Sequence, residues 1–159
     1  MEQDRFSHVD RSGHVRMVDV SEKSPTRRVA EAHCVVRTRV RQPLELAERD
    51  GMHPILAAQL AGVMTAKSTA SLIPLCHPID VSQAHVEITP HEDGYQVSSH
   101  VVATQRTGVE MEALSACAIA ALSLVSALKD ADPEVSITGL GLDFKSGGRS
   151  GEWGRRVQP

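Results

Sequence analysis

Apolar and polar residues alternate along some stretches of the chain and recur at helical spacing along others. Residues 27–40 are rich in valine and alternate with polar positions, which predicts a strand that Pro43 ends. Pro54 then opens an alanine-rich helix to about Ala70, with proline in the first turn, where its missing N–H costs nothing. Leu56, Leu60 and Met64 recur on it every four residues and are expected to form its buried stripe. From Val81 to Thr89, Ser82, Ala84, Val86 and Ile88 alternate with Val81, Gln83, His85 and Glu87, the pattern of a half-buried strand. Asp93-Gly94 reads as a hairpin turn into a second strand, Tyr95 to Thr104. Thr107 starts a long apolar helix to about Asp130, with Met111, Leu114, Ala118, Ala121, Val125 and Leu128 as its expected core stripe. Asp132-Pro133 turns the chain into a last strand, Glu134 to Phe144.

Strand, helix, strand hairpin, helix, strand is the order of an α+β fold, and a ferredoxin-like antiparallel sheet with helices packed on one face fits it best. The 159 residues suffice for one domain, 1–159, with a polar arm at 1–16 expected to be mobile and a glycine-rich basic tail at 145–159. Aromatic residues are only 3 % of the chain, so the core must be built from small aliphatic side chains, and apolar surface is left for a partner subunit. A net charge of −3 gives no support for nucleic acid as a partner. Three cysteines without CxxC spacing argue against a disulfide framework or a zinc knuckle, and no metal site is expected. The N-terminus is polar, and the most apolar run, Ala116 to Leu128, falls short of the roughly 20 residues of a membrane span. A soluble, cytoplasmic protein without a membrane partner is expected.

Candidate chemistry lies in three segments. In Thr107-Gly108-Val109-Glu110-Met111-Glu112-Ala113-Leu114, two acids stand at the mouth of the apolar helix. Thr107 and Glu110 have capping-box spacing, which gives Glu110 a local role. Glu112 is not needed for capping and is either a first-turn acid favoured by the helix dipole or a group for binding and proton transfer. Lys129, near the helix C-terminus, is also favoured by the dipole, and it shares one side of the helix with Ser115, Leu122 and Ser126. In the second segment, Pro74 and Pro78 hold Leu75, Cys76 and His77 in a rigid loop. His77 suits acid/base work by its residue type, whereas Cys76 has no activating partner in the sequence. In the third, Lys145 to Gly151, glycines let consecutive amides face one anion, with Lys145 and Arg149 adding charge. It lacks the Walker A order and, taken alone, reads as a flexible basic tail.

Together with His8-Val9-Asp10, Met17-Val18-Asp19-Val20-Ser21, Ala61-Gly62 and Ala66-Lys67, these segments resemble the MoaC family, the cyclic pyranopterin monophosphate synthases of molybdenum cofactor biosynthesis. The resemblance covers almost the whole chain. It implies a homo-oligomer, a hexamer built as a trimer of dimers with active sites at subunit interfaces. The implied substrate is a nucleotide triphosphate, a cyclised dihydroguanosine triphosphate that is rearranged to cyclic pyranopterin monophosphate with release of pyrophosphate, without a cofactor. Carried over, Leu75, Cys76, His77, Met111, Glu112 and Lys67 bind substrate, and Lys145 and Arg149 hold its phosphates. Lys129, His77 and Glu110 take catalytic roles. Two positions depart from the family pattern. Ser126 stands where the family has a catalytic aspartate, and no lysine occurs near Gly51, where the family has a second catalytic lysine. His53 is a nearby proton-bearing group. The departures imply an alternative, a catalytically silent nucleotide-binding or scaffold subunit, or a related lyase on a different modified nucleotide.

Overall fold

In the computed structural model, which describes residues 8–10, 12–40 and 53–155, the elements follow the expected order. They are β1 (Thr26–Arg37), α1 (Pro54–Leu72), β2 (Gln83–His91), β3 (Gly94–Gln105), α2 (Glu110–Leu128), β4 (Ser136–Ser146) and a short β5 (Trp153–Gly154). All neighbouring strands are antiparallel, in the order β2-β3-β1-β4-β5. Because β3 inserts between β1 and β2, β1-α1-β2 is a split βαβ unit, the ferredoxin-like arrangement. Pro43 and Gly51 lie outside the described residues.

Strand alternation decides which face the helices cover. Ala30, Ala32, Cys34 and Val36 of β1 and Val97, Ser99, Val101 and Ala103 of β3 point into the core beneath α1 and α2. Glu31, His33 and Val35 point to the other face, away from α1 and α2. There His33 Nδ1 pairs with Asp143 at 2.7 Å and His100 Nδ1 with Glu31 at 2.9 Å. The Ser99 hydroxyl donates to the Ala113 carbonyl at 2.7 Å and fastens β3 to the first turns of α2. The buried thiols of Cys34 and Cys117 face each other at 3.4 Å, and this contact, reinforced by burial, holds the Cys117 thiol well above its ordinary range.

Both expected helix stripes need correction. On α1 the buried residues are Ala58, Gly62, Thr65, Ala66 and Thr69, while Leu56, Leu60 and Met64 are 61, 50 and 57 % exposed. The period is helical but the phase is reversed, because α1 lies so close to α2 that only small side chains fit between them. A methyl group on Gly62 would stand 2.8 Å from both the Ala116 carbonyl and a Val86 methyl. On α2 the buried face runs through Ala113, Ala116, Cys117, Ala120, Ala121, Leu124 and Leu128. Met111 is exposed, Leu114, Ala118 and Val125 are only half-buried, and Ser115 is buried instead of sharing the open side of Leu122, Ser126 and Lys129. By length and composition α2 is apolar enough to cross a bilayer, yet it is a core helix here, packed against α1, β1, β3 and β4.

Val9 and Val15 form a β-bridge, and the Asp10 carboxylate accepts from the amides of Ser12 and His14. Lys145 and Ser146 complete β4, after which β5 folds back on Phe144 and Lys145.

Overpacking the helix contact tests this account. Gly62→Ala is expected to destabilise the protein by about 1–3 kcal/mol, measured by urea denaturation, because the obstructing atoms include backbone.

Candidate active site

Two adjoining cavities open where the first turn of α2 meets the loop after β3, the arm before β1 and the glycine loop after β4. The larger is about 840 Å³ and is lined by Lys23, Arg28, Arg106, Lys145, Arg149 and Gly147-Gly148, together with the acids Asp19 and Glu22. The smaller is about 390 Å³ and is lined by Leu75, Cys76, His77, Met111 and Glu112, with His8, Val18 and Val20 from the arm. Lys23, Thr107, Gly108 and Glu110 line both, so they form the shared wall.

Glu110 is not a cap. Val109 occupies the N-cap position of α2, and no side chain bonds the helix start. The Glu110 carboxylate instead accepts from Lys145 Nζ at 3.1 Å, each side chain being 31 % exposed. Sheet register makes this pair possible. Lys145 lies opposite Ala30, an inward position, so its ammonium is directed to the helix side of the sheet. Gly108 leaves room for it, since a Cβ there would meet the Glu110 carboxylate in this position.

Glu112 is 3 % exposed. Burial raises its pKa to about 7, the nearby Glu110 charge adds to the rise, and a hydrogen bond from backbone N–H opposes it. A carboxyl poised at neutrality can both give and take a proton. Across the same cavity, His77 Nε2 is 2.8 Å from the Val18 carbonyl. A carbonyl only accepts, so Nε2 carries hydrogen, and in the neutral ring Nδ1 is left as acceptor. The loop holding His77 is strained: Leu75 has φ 66, a left-handed conformation uncommon for a side chain of this size. The Cys76 thiol is pushed up by burial and by the charge of Glu112, which keeps it protonated. The Asp19 carboxylate is held low, chiefly by the hydroxyl and amide of Ser21.

Other expected site residues do not join this group within one protomer. Ser126 and Lys129 are exposed towards the opposite end of α2, about 21 and 25 Å from Glu112 at a rise of about 1.5 Å per residue. Lys129 Nζ contacts Asp130 at 3.3 Å. Lys67 is exposed on α1 and lines neither cavity. His53 caps α1, its Nδ1 accepting from the Ile55 amide at 3.2 Å. Residues that the motifs did not single out are Lys23, Arg28 and Arg106. Arg27-Arg28 stands out in the sequence only as a small basic cluster, and strand register is needed to show where it points. Among the described residues, no three His, Cys, Asp or Glu side chains are grouped to hold a metal ion.

The MoaC family profile matches residues 17–148. The chain belongs to the MoaC family. It is 43 % identical to a Streptomyces griseus protein named cyclic pyranopterin monophosphate synthase, over 99 % of this chain and 89 % of that protein. It is 45 % identical to a Chloroflexus aggregans protein of the same name, over 96 % of this chain and 94 % of the relative. A Mycobacterium bovis protein named cyclic pyranopterin monophosphate synthase 2 is 40 % identical, over 95 % of this chain and 92 % of its own. The segments that build both cavities of this MoaC chain fall largely within the matched residues.

Glu112 gives stability a signed dependence on pH. Between about 4.5 and about 7 the folded protein keeps a proton that the unfolded chain has released, so this contribution is lost as pH rises through that window. Glu112→Gln is expected to remove the slope and to gain up to about 3 kcal/mol on the wild type at pH 8 relative to pH 4.5, measured by urea denaturation at both.

Proposed function

We propose that this protein is a cyclic pyranopterin monophosphate synthase of the cytoplasm, acting on a cyclised dihydroguanosine triphosphate in molybdenum cofactor biosynthesis. The names borne by its relatives support the reading. The observation that carries it is a division of labour between the cavities. The larger one offers cations and backbone amides suited to a triphosphate, and the smaller one sets Glu112 and His77 where a heterocycle would lie. Opening and reclosing rings requires proton transfers at several atoms, and each well-placed acid or base contributes roughly a hundred- to ten-thousandfold. Leu75 and Met111 supply apolar walls, and Lys145 and Arg149 take the phosphates. Glu110 holds Lys145 in place and is available to move a proton.

In this reading a second copy completes the site, and the assembly is a hexamer. Lys129 and Ser126, remote from the cleft in their own protomer, would reach a neighbour's. Exposed Leu56, Leu60 and Met64 on α1 and Leu122 on α2 provide apolar surface for such contacts. Lys67, on the same exposed side of the molecule as part of this surface, would act at a neighbour's site or not at all.

A second reading is favoured by Ser126, whose hydroxyl cannot act as a carboxylate base, and by the lack of a lysine near Gly51. The protein would then be a silent nucleotide-binding or scaffold subunit, or act on another modified nucleotide. Release of pyrophosphate from the cyclised triphosphate separates these readings. The synthase is expected to turn over, with His77→Ala and Lys129→Ala each losing at least about a hundredfold. Co-expressing the two variants is expected to restore part of the activity, because some shared sites then receive both intact side chains. No pyrophosphate from the wild type, together with a gain in Gly51→Lys/Ser126→Asp, would establish the silent subunit.

A further inference from the structure

Arg28 occupies an unusual position at the larger cavity. Its guanidinium donates to three backbone carbonyls, those of Gln105 at 3.3 Å, Gly147 at 3.2 Å and Arg106 at 3.4 Å. The first and third belong to the exit of β3, and the second to the glycine loop after β4. These are the strands on either side of β1, so a single side chain from the central strand joins the loops leaving both neighbours.

The glycine loop is shaped to receive it. Gly147 and Gly148 have φ 98 and 74, both left-handed. A Cβ on Gly147 would run into the Arg27 carbonyl, and one on Gly148 would occupy the space of the Arg28 guanidinium. The pair therefore lets the loop lie flat against Arg27-Arg28. Arg106 extends the connection, because its Nη1 donates to the Ser21 carbonyl at 2.9 Å and ties the N-terminal arm to the same wall.

The geometry points to Arg28 as a positioning residue for a polyphosphate. It pins the glycine loop so that the loop amides, Lys145 and Arg149 converge on one anionic group. The inference rests on the reading of the larger cavity as the phosphate end of the site. Its carbonyl bonds direct the guanidinium to the protein backbone, which distinguishes Arg28 from a residue that grips phosphate itself. A planar fork with five donors can serve three carbonyls that diverge in space, whereas a lysine ammonium at the end of a flexible stem cannot reproduce the arrangement.

The test uses the full chain, with inorganic tripolyphosphate as the probe. Wild type, Arg28→Ala and Arg28→Lys are compared by titration calorimetry and by the rate of tryptic cleavage after Arg149, followed by mass spectrometry. Both variants are expected to bind tripolyphosphate at least about tenfold more weakly, and to be cleaved after Arg149 at least about tenfold faster, on losing hydrogen bonds made by a charged group. The thermal midpoint of Arg28→Lys is expected to stay near that of the wild type, which separates loop release from general unfolding. A lysine variant that binds as tightly as the wild type would reduce Arg28 to a charge and overturn the inference, as would unchanged cleavage in both variants. A wild type that binds while both variants match it sinks the inference alone. A wild type that takes up no tripolyphosphate sinks the reading of the cavity and the inference with it.

Discussion

Close contact between α1 and α2 sets the terms for everything else in the molecule. The chain has two phenylalanines, one tyrosine and one tryptophan, so there is little bulk with which to fill a wide gap between layers. Alanine, glycine, valine and threonine fill a narrow one instead, and at Gly62 there is no room for even a methyl group against Ala116. With the helices drawn together over the sheet, the first turn of α2 is held against β3 by Ser99. That turn carries Glu110 and Glu112. Packing thus fixes where the two carboxyls stand before any substrate arrives.

Element order and type were legible from periodicity and punctuation. Alternation marked β1, β2 and β3, Pro54 opened α1, and Asp93-Gly94 turned the hairpin. The phase of the helices was not legible. A four-residue recurrence of Leu56, Leu60 and Met64 identifies a helix face without saying whether it meets this protomer's core or something beyond it. Usual practice assigns large apolar residues to the core, but here the space available favoured the small ones. The same competition accounts for α2, where Ala113, Ala116 and Ala120 are buried and Met111 is not.

At the site, local spacing misled where a distant partner was stronger. Thr107 and Glu110 have the separation of a reciprocal cap, yet the carboxylate turns to Lys145, thirty-five positions along the chain. An ion pair with a half-buried ammonium is a stronger partner for the carboxylate than a neutral amide at the helix start. His77 and Glu112 were recognisable as candidates from the sequence, and the family resemblance implied a common site for them; residue spacing alone did not reveal the part of the arm, Val18 and Val20, that lines their cavity. Arg28 shows the same limit. Its side chain is defined by three main-chain oxygens, and main-chain oxygens leave no trace in residue identity.

Helix α2 also serves as a ruler. Its 19 residues span about 28 Å, with the acid pair at one extremity and Lys129 just past the other. Inserting or deleting one residue between them would lengthen or shorten that span by only about 1.5 Å, but would swing one extremity around the axis by about 100°. Any change in length other than a whole turn would therefore rotate the acid pair and Lys129 relative to one another about the helix axis.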